Sequence, residues 1–137
     1  MPENAENSEG SPECHESILA VDDDITLQFL LAQMLEGCGF TVLSAGSGMA
    51  AIEIWRAAKD RIKLLLTDIN MPGMTGFELA ATLRCERPDL KVIFMTGHRS
   101  DFTAEGETLI EGVNFLPKPC RMQTLAKAVR DRLDMQG

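Results

Sequence analysis

Carboxylate, hydroxyl and ammonium side chains follow short apolar runs at four places in this sequence. Three aspartates, Asp22–Asp24, come after the run 18–21, and Asp68 comes after the run 64–67. Thr96 closes another apolar run, and Lys118 follows a fourth. If these runs are parallel strands, their carboxyl ends share the edge of a sheet at which such folds bind ligands. The spacing therefore predicts a single site built from all four places.

Each of these residues also has an ordinary structural explanation. An aspartate ahead of a helix is commonly its N-cap, and Asp24 before Leu27 fits that role. Thr96 with Gly97 could form a turn, and Lys118 lies between two prolines in what could be a solvated loop. Their occurrence together at four strand ends favours a functional site.

The predicted site combines a pair of neighbouring carboxylates, a third carboxylate, a hydroxyl and a lysine. Two carboxylates about 4 Å apart repel each other by roughly 4 kcal/mol at an effective dielectric constant of about 20. A divalent cation such as Mg²⁺ relieves that repulsion. A carboxylate is also a nucleophile toward phosphorus, and the metal, the lysine and the hydroxyl can neutralise the phosphoryl oxygens during transfer. The residues therefore indicate phosphoryl chemistry at a Mg²⁺ or Mn²⁺ site.

The apolar pattern predicts the elements that position these side chains. Short apolar runs alternate with segments whose apolar residues recur every three or four positions, as in amphipathic helices. The first helical stripe consists of Leu27, Leu30, Leu31, Met34 and Leu35. The predicted strands are 18–21, 40–44, 64–67, 92–95 and 113–116, and the later helices lie within 51–58, 77–87 and 122–133, with a short or irregular one at 101–112. This order favours an α/β fold, a doubly wound five-stranded parallel sheet with helices on both faces.

Length and charge indicate one domain with an acidic amino-terminal tail. The chain has 137 residues and a formal net charge of −8. Residues 1–17 contain five glutamates and no lysine or arginine, so we expect a disordered tail over 1–17 ahead of a domain over 18–137. A chain of this charge, without a basic stripe, is not expected to bind nucleic acid directly.

The sequence also excludes several classes of protein. It has no apolar run of the roughly 18 residues that a membrane span needs, and no signal-peptide pattern at its start. The four cysteines include no CxxC pair, which excludes a zinc ribbon or a thioredoxin-type motif. Reduced thiols and the absence of a leader predict a cytoplasmic protein.

Four segments strongly resemble bacterial response-regulator receiver domains of two-component signalling systems. The resemblance extends from Ile18 to about Leu133 and is most specific at Asp68-x-x-Met71-Pro72 together with Lys118-Pro119. It implies the flavodoxin-like fold of that family, with strand order 2-1-3-4-5. The segments are ILAVDDD (18–24), LLLTDINMPGMTG (64–76), VIFMTG (92–97) and FLPKPC (115–120).

The resemblance implies a role for each acidic position. Asp68 matches the phosphoacceptor, and it contributes to the metal site. Asp22 and Asp23 match the acidic pair that binds Mg²⁺, with Asp23 as a direct ligand. The backbone carbonyl of Asn70 is the further metal ligand that the family pattern implies.

Other positions match the residues that bind the phosphoryl group and respond to it. Thr96 matches the switch hydroxyl, Lys118 matches the lysine that pairs with a phosphoryl oxygen, and Phe115 matches the switch aromatic. Asn70 and His98 occupy positions that tune the loss of the phosphoryl group to water, although His98 is equally well interpreted as a solvent-exposed loop residue. The bond from Lys118 to Pro119 matches one that is usually cis in the family.

Three departures from the family pattern qualify these expectations. Phe115 lacks the hydroxyl of the tyrosine often found there, so a switch must depend on burial of its ring alone. Cys120 replaces a common apolar aromatic residue. The weak helical pattern of 101–112 alters a surface that many family members use for dimerisation or signalling.

The favoured hypothesis is a phosphoacceptor receiver that takes a phosphoryl group from a histidine kinase or a histidine phosphotransfer protein. It would then shift between two conformations. We expect no output domain in this chain, which would be a stand-alone receiver or a part of a hybrid kinase. A weak homodimer is compatible with this hypothesis. We expect no enzymatic activity beyond promotion of its own aspartyl phosphorylation and dephosphorylation.

Two alternatives belong to other functional classes. A haloacid-dehalogenase phosphatase is suggested by Asp22-Asp23-Asp24-Ile25-Thr26, but that family needs a later acidic motif, and the Asp68 segment would be left without a role. The other alternative is a receiver fold that is never phosphorylated and acts only as a binding module. The complete acidic set argues against it.

Overall fold

The computed structural model describes residues 17–58, 60–96, 114–118 and 121–134. The strands are β1 (Ser17–Val21), β2 (Thr41–Ala45), β3 (Ile62–Asp68), β4 (Lys91–Thr96) and β5 (Phe115–Pro117). The helices are α1 (Ile25–Glu36), α2 (Gly48–Ala58), α3 (Gly76–Arg84) and α4 (Met122–Asp134). None of these four helices combines the length and the apolar character that crossing a bilayer requires.

The five strands form one parallel sheet in the order β2-β1-β3-β4-β5, which confirms the predicted order. Consecutive residues of a strand point to opposite faces. On one face Leu19 and Leu65 pack with side chains of α2 and α3, and on the other Ile18 and Leu64 pack with side chains of α1 and α4. Burial on both faces explains the apolar runs 18–21, 64–66 and 92–95 within β1, β3 and β4, and it confirms the predicted doubly wound architecture.

Most elements differ from the predicted ranges by one to three residues at an end, and β1 and α3 are two examples. β1 begins at Ser17, one residue early, because the buried Ser17 donates its backbone N–H to the carbonyl of Arg61 at 3.1 Å. α3 ends at Arg84 instead of Arg87, with Cys85 as its C-cap, and Pro88 disfavours the helical conformation at Arg87, the residue directly before it. Several predictions lie outside the described residues: the tail over 1–16, His98, the helix over 101–112, the start of the fifth strand at 113, the Lys118–Pro119 bond and Cys120.

The apolar stripe of α1 is only partly buried. Leu31 and Leu35 lie in the core, whereas Leu30 is 46% exposed. Leu30 and its apolar neighbours line a cavity of about 370 Å³ that also reaches Asp22 and Lys118. Periodicity predicts which side of a helix faces the sheet, but it does not predict how closely each turn approaches the sheet.

A close backbone contact holds the start of α3 against the end of β3. The backbone N–H of Gly76 donates to the carbonyl of Ile69 at 2.9 Å. A Cβ atom at Gly76 would lie 2.4 Å from the carbonyl oxygen of Asp68. Thr75 begins this helix with a capping box, in which its hydroxyl accepts from the N–H of Glu78 and the Glu78 carboxylate accepts from the N–H of Thr75. Only glycine therefore fits at the first helical position.

We predict that Gly76→Ala lowers the free energy of unfolding by about 3 kcal/mol, because the new methyl group collides with backbone that cannot move aside. Intrinsic helix propensity favours alanine and so works against this effect. Gly73→Ala is the matched control in the same loop. Its Cβ would meet no atom within 4 Å, and only its positive φ of 84° is unfavourable, at a cost of about 1 kcal/mol. Urea denaturation of both variants measures the difference, and equal losses would contradict the proposed collision.

Candidate functional site

Three carboxylates meet at the carboxyl edge of the sheet. Asp22 and Asp23 follow β1, and Asp68 is the last residue of β3. β1 and β3 are adjacent, with Val21 opposite Thr67, so the residues that follow are neighbours. One carboxylate oxygen from each of the three aspartates lies within 4.8 Å of the others. The structure therefore brings the predicted acidic positions together in one cluster.

The burial of the three carboxylates is unequal. Asp22 is 1% exposed and Asp68 is 6% exposed, whereas Asp23 is open to solvent. Asp22 accepts a hydrogen bond from the backbone N–H of Asp24 at 2.9 Å through Oδ1. Buried charges need partners, so Asp22 and Asp68 need a positively charged group beside them. Asp23 is exposed, which leaves one side of the cluster open to solvent.

Lys118 bridges the two buried carboxylates. Its Nζ lies 2.9 Å from Asp22 Oδ2 and 3.3 Å from Asp68 Oδ2. Its backbone N–H donates to the carbonyl of Thr96 at 2.8 Å, which fixes the base of the side chain at the end of β4. The predicted lysine thus reaches from the last strand of the sheet across to the aspartate that follows β1.

Opposing influences act on the ionisation of Asp68. Burial raises its pKa, and the charge of Asp22 raises it further. The charge of Lys118, its hydrogen bond and a backbone hydrogen bond from Asn70 lower the pKa, but the pKa remains above its usual range. Ionisation of the Asp68 carboxyl group therefore carries a free-energy cost, which additional positive charge would relieve.

Lys118 remains cationic in this environment. Burial alone would lower its pKa, but the hydrogen bond to Asp22 and the charges of Asp68 and Asp22 outweigh it, so the pKa is raised. One lysine faces three carboxylates, which leaves excess negative charge at the site. Oxygen ligands with excess negative charge fit a hard divalent cation such as Mg²⁺.

The remaining predicted residues lie around this cluster. Thr96, at the end of β4, is buried and lies one residue beyond Met95, the register partner of Asp68. Asn70 lies two residues after Asp68 and is exposed. Phe115 is buried on β5 opposite Phe94, two register positions below the end of β4. His98 lies outside the described residues.

Asp24 has a structural role. Its Oδ1 accepts from the backbone N–H groups of Thr26 at 2.9 Å and Leu27 at 3.3 Å, which makes it the N-cap of α1, as predicted. The phosphatase alternative draws on the run Asp22–Asp24, and in the structure the last of these carboxylates caps a helix. Sequence reasoning assigned no role to Gly76, although a glycine at the first position of a helix is a signal of close backbone contact.

We predict that Asp68→Asn raises the melting temperature of the metal-free protein at neutral pH. The raised pKa means that the folded state holds the proton of Asp68 longer than the unfolded state. Stability therefore falls as the pH rises from the ordinary aspartate pKa through the raised pKa, and the asparagine variant avoids that loss. Thermal unfolding in EDTA at several pH values measures this effect, with the exposed Asp24→Asn as the control. A lower melting temperature for Asp68→Asn at neutral pH would contradict the prediction.

Comparisons with known proteins agree with this geometry. Residues 18–130 match the model of the response regulator receiver domain. The chain is 32% identical over 120 residues to the sensor kinase CckA of Brucella abortus (strain 2308), covering 88% of this chain and 13% of that protein. It is 36% identical over 115 residues to the two-component response regulator ORR26 of Oryza sativa subsp. japonica, covering 79% of this chain and 18% of that protein. The chain thus spans less than a fifth of the length of these two relatives.

Solved structures show the same likeness. A response regulator receiver domain protein from Clostridium thermocellum has a TM-score of 0.77 and 28% identity, covering 87% of this chain and 94% of that one. The receiver domain of the hybrid histidine kinase CckA has a TM-score of 0.69 and 32% identity, covering 86% and 99%. With its fold, its acidic cluster and these matches, the chain belongs to the family of response regulator receiver domains.

Proposed function

We propose that this receiver domain accepts a phosphoryl group on Asp68 and uses it as a signal. The observation that carries the proposal is the single lysine bonded to two buried carboxylates, since Lys118 contacts both Asp22 and Asp68. A buried carboxylate whose negative charge is only partly compensated is well placed to react with an electrophilic phosphorus. Lys118 then has a second task, which is to neutralise an oxygen of the incoming phosphoryl group.

The proposed transfer forms one bond to phosphorus and breaks one. An oxygen of ionised Asp68 forms a bond to the phosphorus of a phosphohistidine, the bond from phosphorus to the imidazole nitrogen breaks, and the imidazole leaves. Asp22, Asp23, Asp68 and the backbone carbonyl of Asn70 would hold Mg²⁺ or Mn²⁺, which would supply positive charge to the phosphoryl oxygens. The exposure of Asp23 and Asn70 leaves this side of the site accessible.

The proposed response to phosphorylation involves Thr96 and Phe115. The phosphoryl group adds acceptor oxygens near the end of β4, and the Thr96 hydroxyl would donate to one of them. Phe115 is already buried here and has no hydroxyl, so its ring can report the change only by repacking. Asn70 and His98 would set how fast water removes the group.

The approach of a donor protein is suggested by an apolar surface beside the site. Ile25 is 77% exposed and Phe29 is 63% exposed, and both lie on the first two turns of α1. Large exposed apolar side chains in one patch mark interaction surfaces. The proposal assigns this face to a histidine kinase or histidine phosphotransfer protein in the cytoplasm. We propose no reaction on a separate substrate, and the weak homodimer remains a prediction.

We predict that the protein gains one phosphoryl group when it is incubated with Mg²⁺ and acetyl phosphate. Asp68→Asn removes the nucleophile and should give no adduct, and EDTA should also prevent the adduct. Asp24→Asn is the matched control, because its carboxylate only caps α1 and asparagine caps equally well. Intact-mass spectrometry measures all four samples.

Absence of an adduct in all samples would lead to a second measurement with beryllofluoride, a stable analogue of the phosphoryl group. Mg²⁺-dependent binding of beryllofluoride would support the proposed site despite a short-lived phosphoryl group. Failure of both measurements would overturn the phosphoacceptor proposal in favour of a plain binding module.

We predict that Lys118→Gln slows phosphorylation by acetyl phosphate by about 10²-fold, because the transition state loses a charged donor. Lys127→Gln is the matched control, since Lys127 is exposed on α4 and pairs with Asp131 at 2.6 Å. Circular dichroism establishes that both variants are folded. Mass spectrometry of samples quenched at successive times gives their rates of phosphorylation. Equal rates for the two variants would exclude a role for Lys118 in transfer.

A further inference from the structure

Basic side chains gather at the amino edge of the sheet, opposite the edge that carries Asp68. Two adjoining cavities of about 320 and 190 Å³ open there and share Asp89, Leu90 and Lys91 in their walls. Five of the thirteen lysines and arginines line them, and among their described lining residues Asp89 is the single acid. We call this surface the basic hollow; its bases are Lys63, Arg84, Arg87, Lys91 and Arg132.

Contacts to uncharged groups orient two of these guanidinium groups. Arg87 donates to the carbonyl of Ile62 and lies 4.7 Å from the centre of the Trp55 ring. Arg84 donates through Nε to the carbonyl of Leu90 at 3.3 Å. Carbonyl oxygens and an indole ring fix the geometry of a guanidinium, which lowers the entropy lost when an anion binds.

The basic hollow contrasts with the charge of the rest of the chain. The whole chain has a formal net charge of −8, whereas the described lining of the hollow carries five bases and one acid. The most one-sided acidic segment is residues 1–16, with five glutamates and no lysine or arginine. Charge complementarity therefore matches this surface to a segment of the same chain.

The exit of that segment is close to the hollow. Ser17 starts β1 at the amino edge and is paired with Ile62, whose carbonyl accepts from Arg87. β4, which begins at Lys91, lies two strands away from β1, a distance of about 10 Å. Sixteen residues can extend to about 50 Å, so every base of the hollow is within reach.

We propose that residues 1–16 dock in the basic hollow of their own chain through their glutamate side chains. A tether this short gives the glutamates an effective concentration in the millimolar range, which compensates for weak individual ion pairs. The docked segment occupies the basic hollow and competes with any other anion there. The proposal does not depend on phosphorylation of Asp68.

The chain supplies a native position for the test, since Cys14 lies within the acidic segment. A nitroxide on Cys14, in full-length protein carrying Cys38→Ser, Cys85→Ser and Cys120→Ser, broadens the NMR signals of amides that it approaches. We expect selective broadening at the hollow, above all at Lys63 and Lys91, in low salt. About 1 M NaCl should remove it, because the screening length is then roughly 3 Å.

Matched variants separate docking from mere proximity. Changing all five glutamates of residues 1–16 to glutamine keeps the length and polarity of the segment and should abolish the selective broadening. The Lys63→Gln/Lys91→Gln double variant should weaken it severalfold, whereas Arg121→Gln/Lys127→Gln removes the same charge elsewhere and should leave it unchanged.

Three results would overturn the proposal. The broadening could be the same in the glutamine variant, in which case the segment only samples its surroundings. It could respond equally to both double variants, in which case net charge and not the hollow attracts the segment. It could also appear on isotope-labelled protein mixed with separately nitroxide-labelled protein, in which case the segment binds a second copy and not its own chain.

Discussion

The rest of this structure depends on the contact of one lysine, Lys118, with two buried carboxylates. Two carboxylates about 4 Å apart repel by roughly 4 kcal/mol even at an effective dielectric constant of about 20, and adjacent parallel strands force Asp22 and Asp68 together. Lys118 offsets part of this repulsion, at 2.9 and 3.3 Å, but burial, together with the charge of Asp22, still leaves the pKa of Asp68 raised. The fold must therefore hold an unfavourable charge arrangement in place, and the contact at Gly76 and the cap at Asp24 do so.

The strands that are buried on both faces were predictable from the sequence. β1, β3 and β4 contain the apolar runs 18–21, 64–66 and 92–95 because both of their faces are covered there, and runs of that kind favour buried strands. The strand order was implied by the resemblance and not by the pattern, since apolar runs do not specify their neighbours. The extent to which α1 is buried was not predictable. The apolar pattern that includes Leu30 would be the same whether each helical turn of α1 packs against the sheet or lies away from it.

The site was predictable as a set of strand ends, but its internal arrangement was not. Parallel register alone places Asp22, Asp68 and Thr96 at one edge, so their positions in the sequence were enough. Which carboxylate Lys118 approaches more closely depends on side-chain packing that the sequence does not encode locally. The basic hollow was missed entirely, because its residues are scattered from Lys63 to Arg132 and only the topology collects them.

The direction of the helix dipoles suits the opposite charges of the two edges. Every described helix begins at the carboxyl edge and ends at the amino edge, so the positive ends of the helix dipoles face the aspartates and the negative ends face the arginines. α3 has an acid, Glu78, in its first turn and a base, Arg84, in its last, and Arg132 stands in the last turn of α4. The dipoles thus favour acids at the carboxyl edge and bases at the amino edge; α3 follows this at both of its ends, whereas α1, α2 and α4 have no acid in their first turn. Under the docking proposal, the segment rich in glutamate meets Arg84 and Arg132 at helix ends whose dipoles favour positive charge.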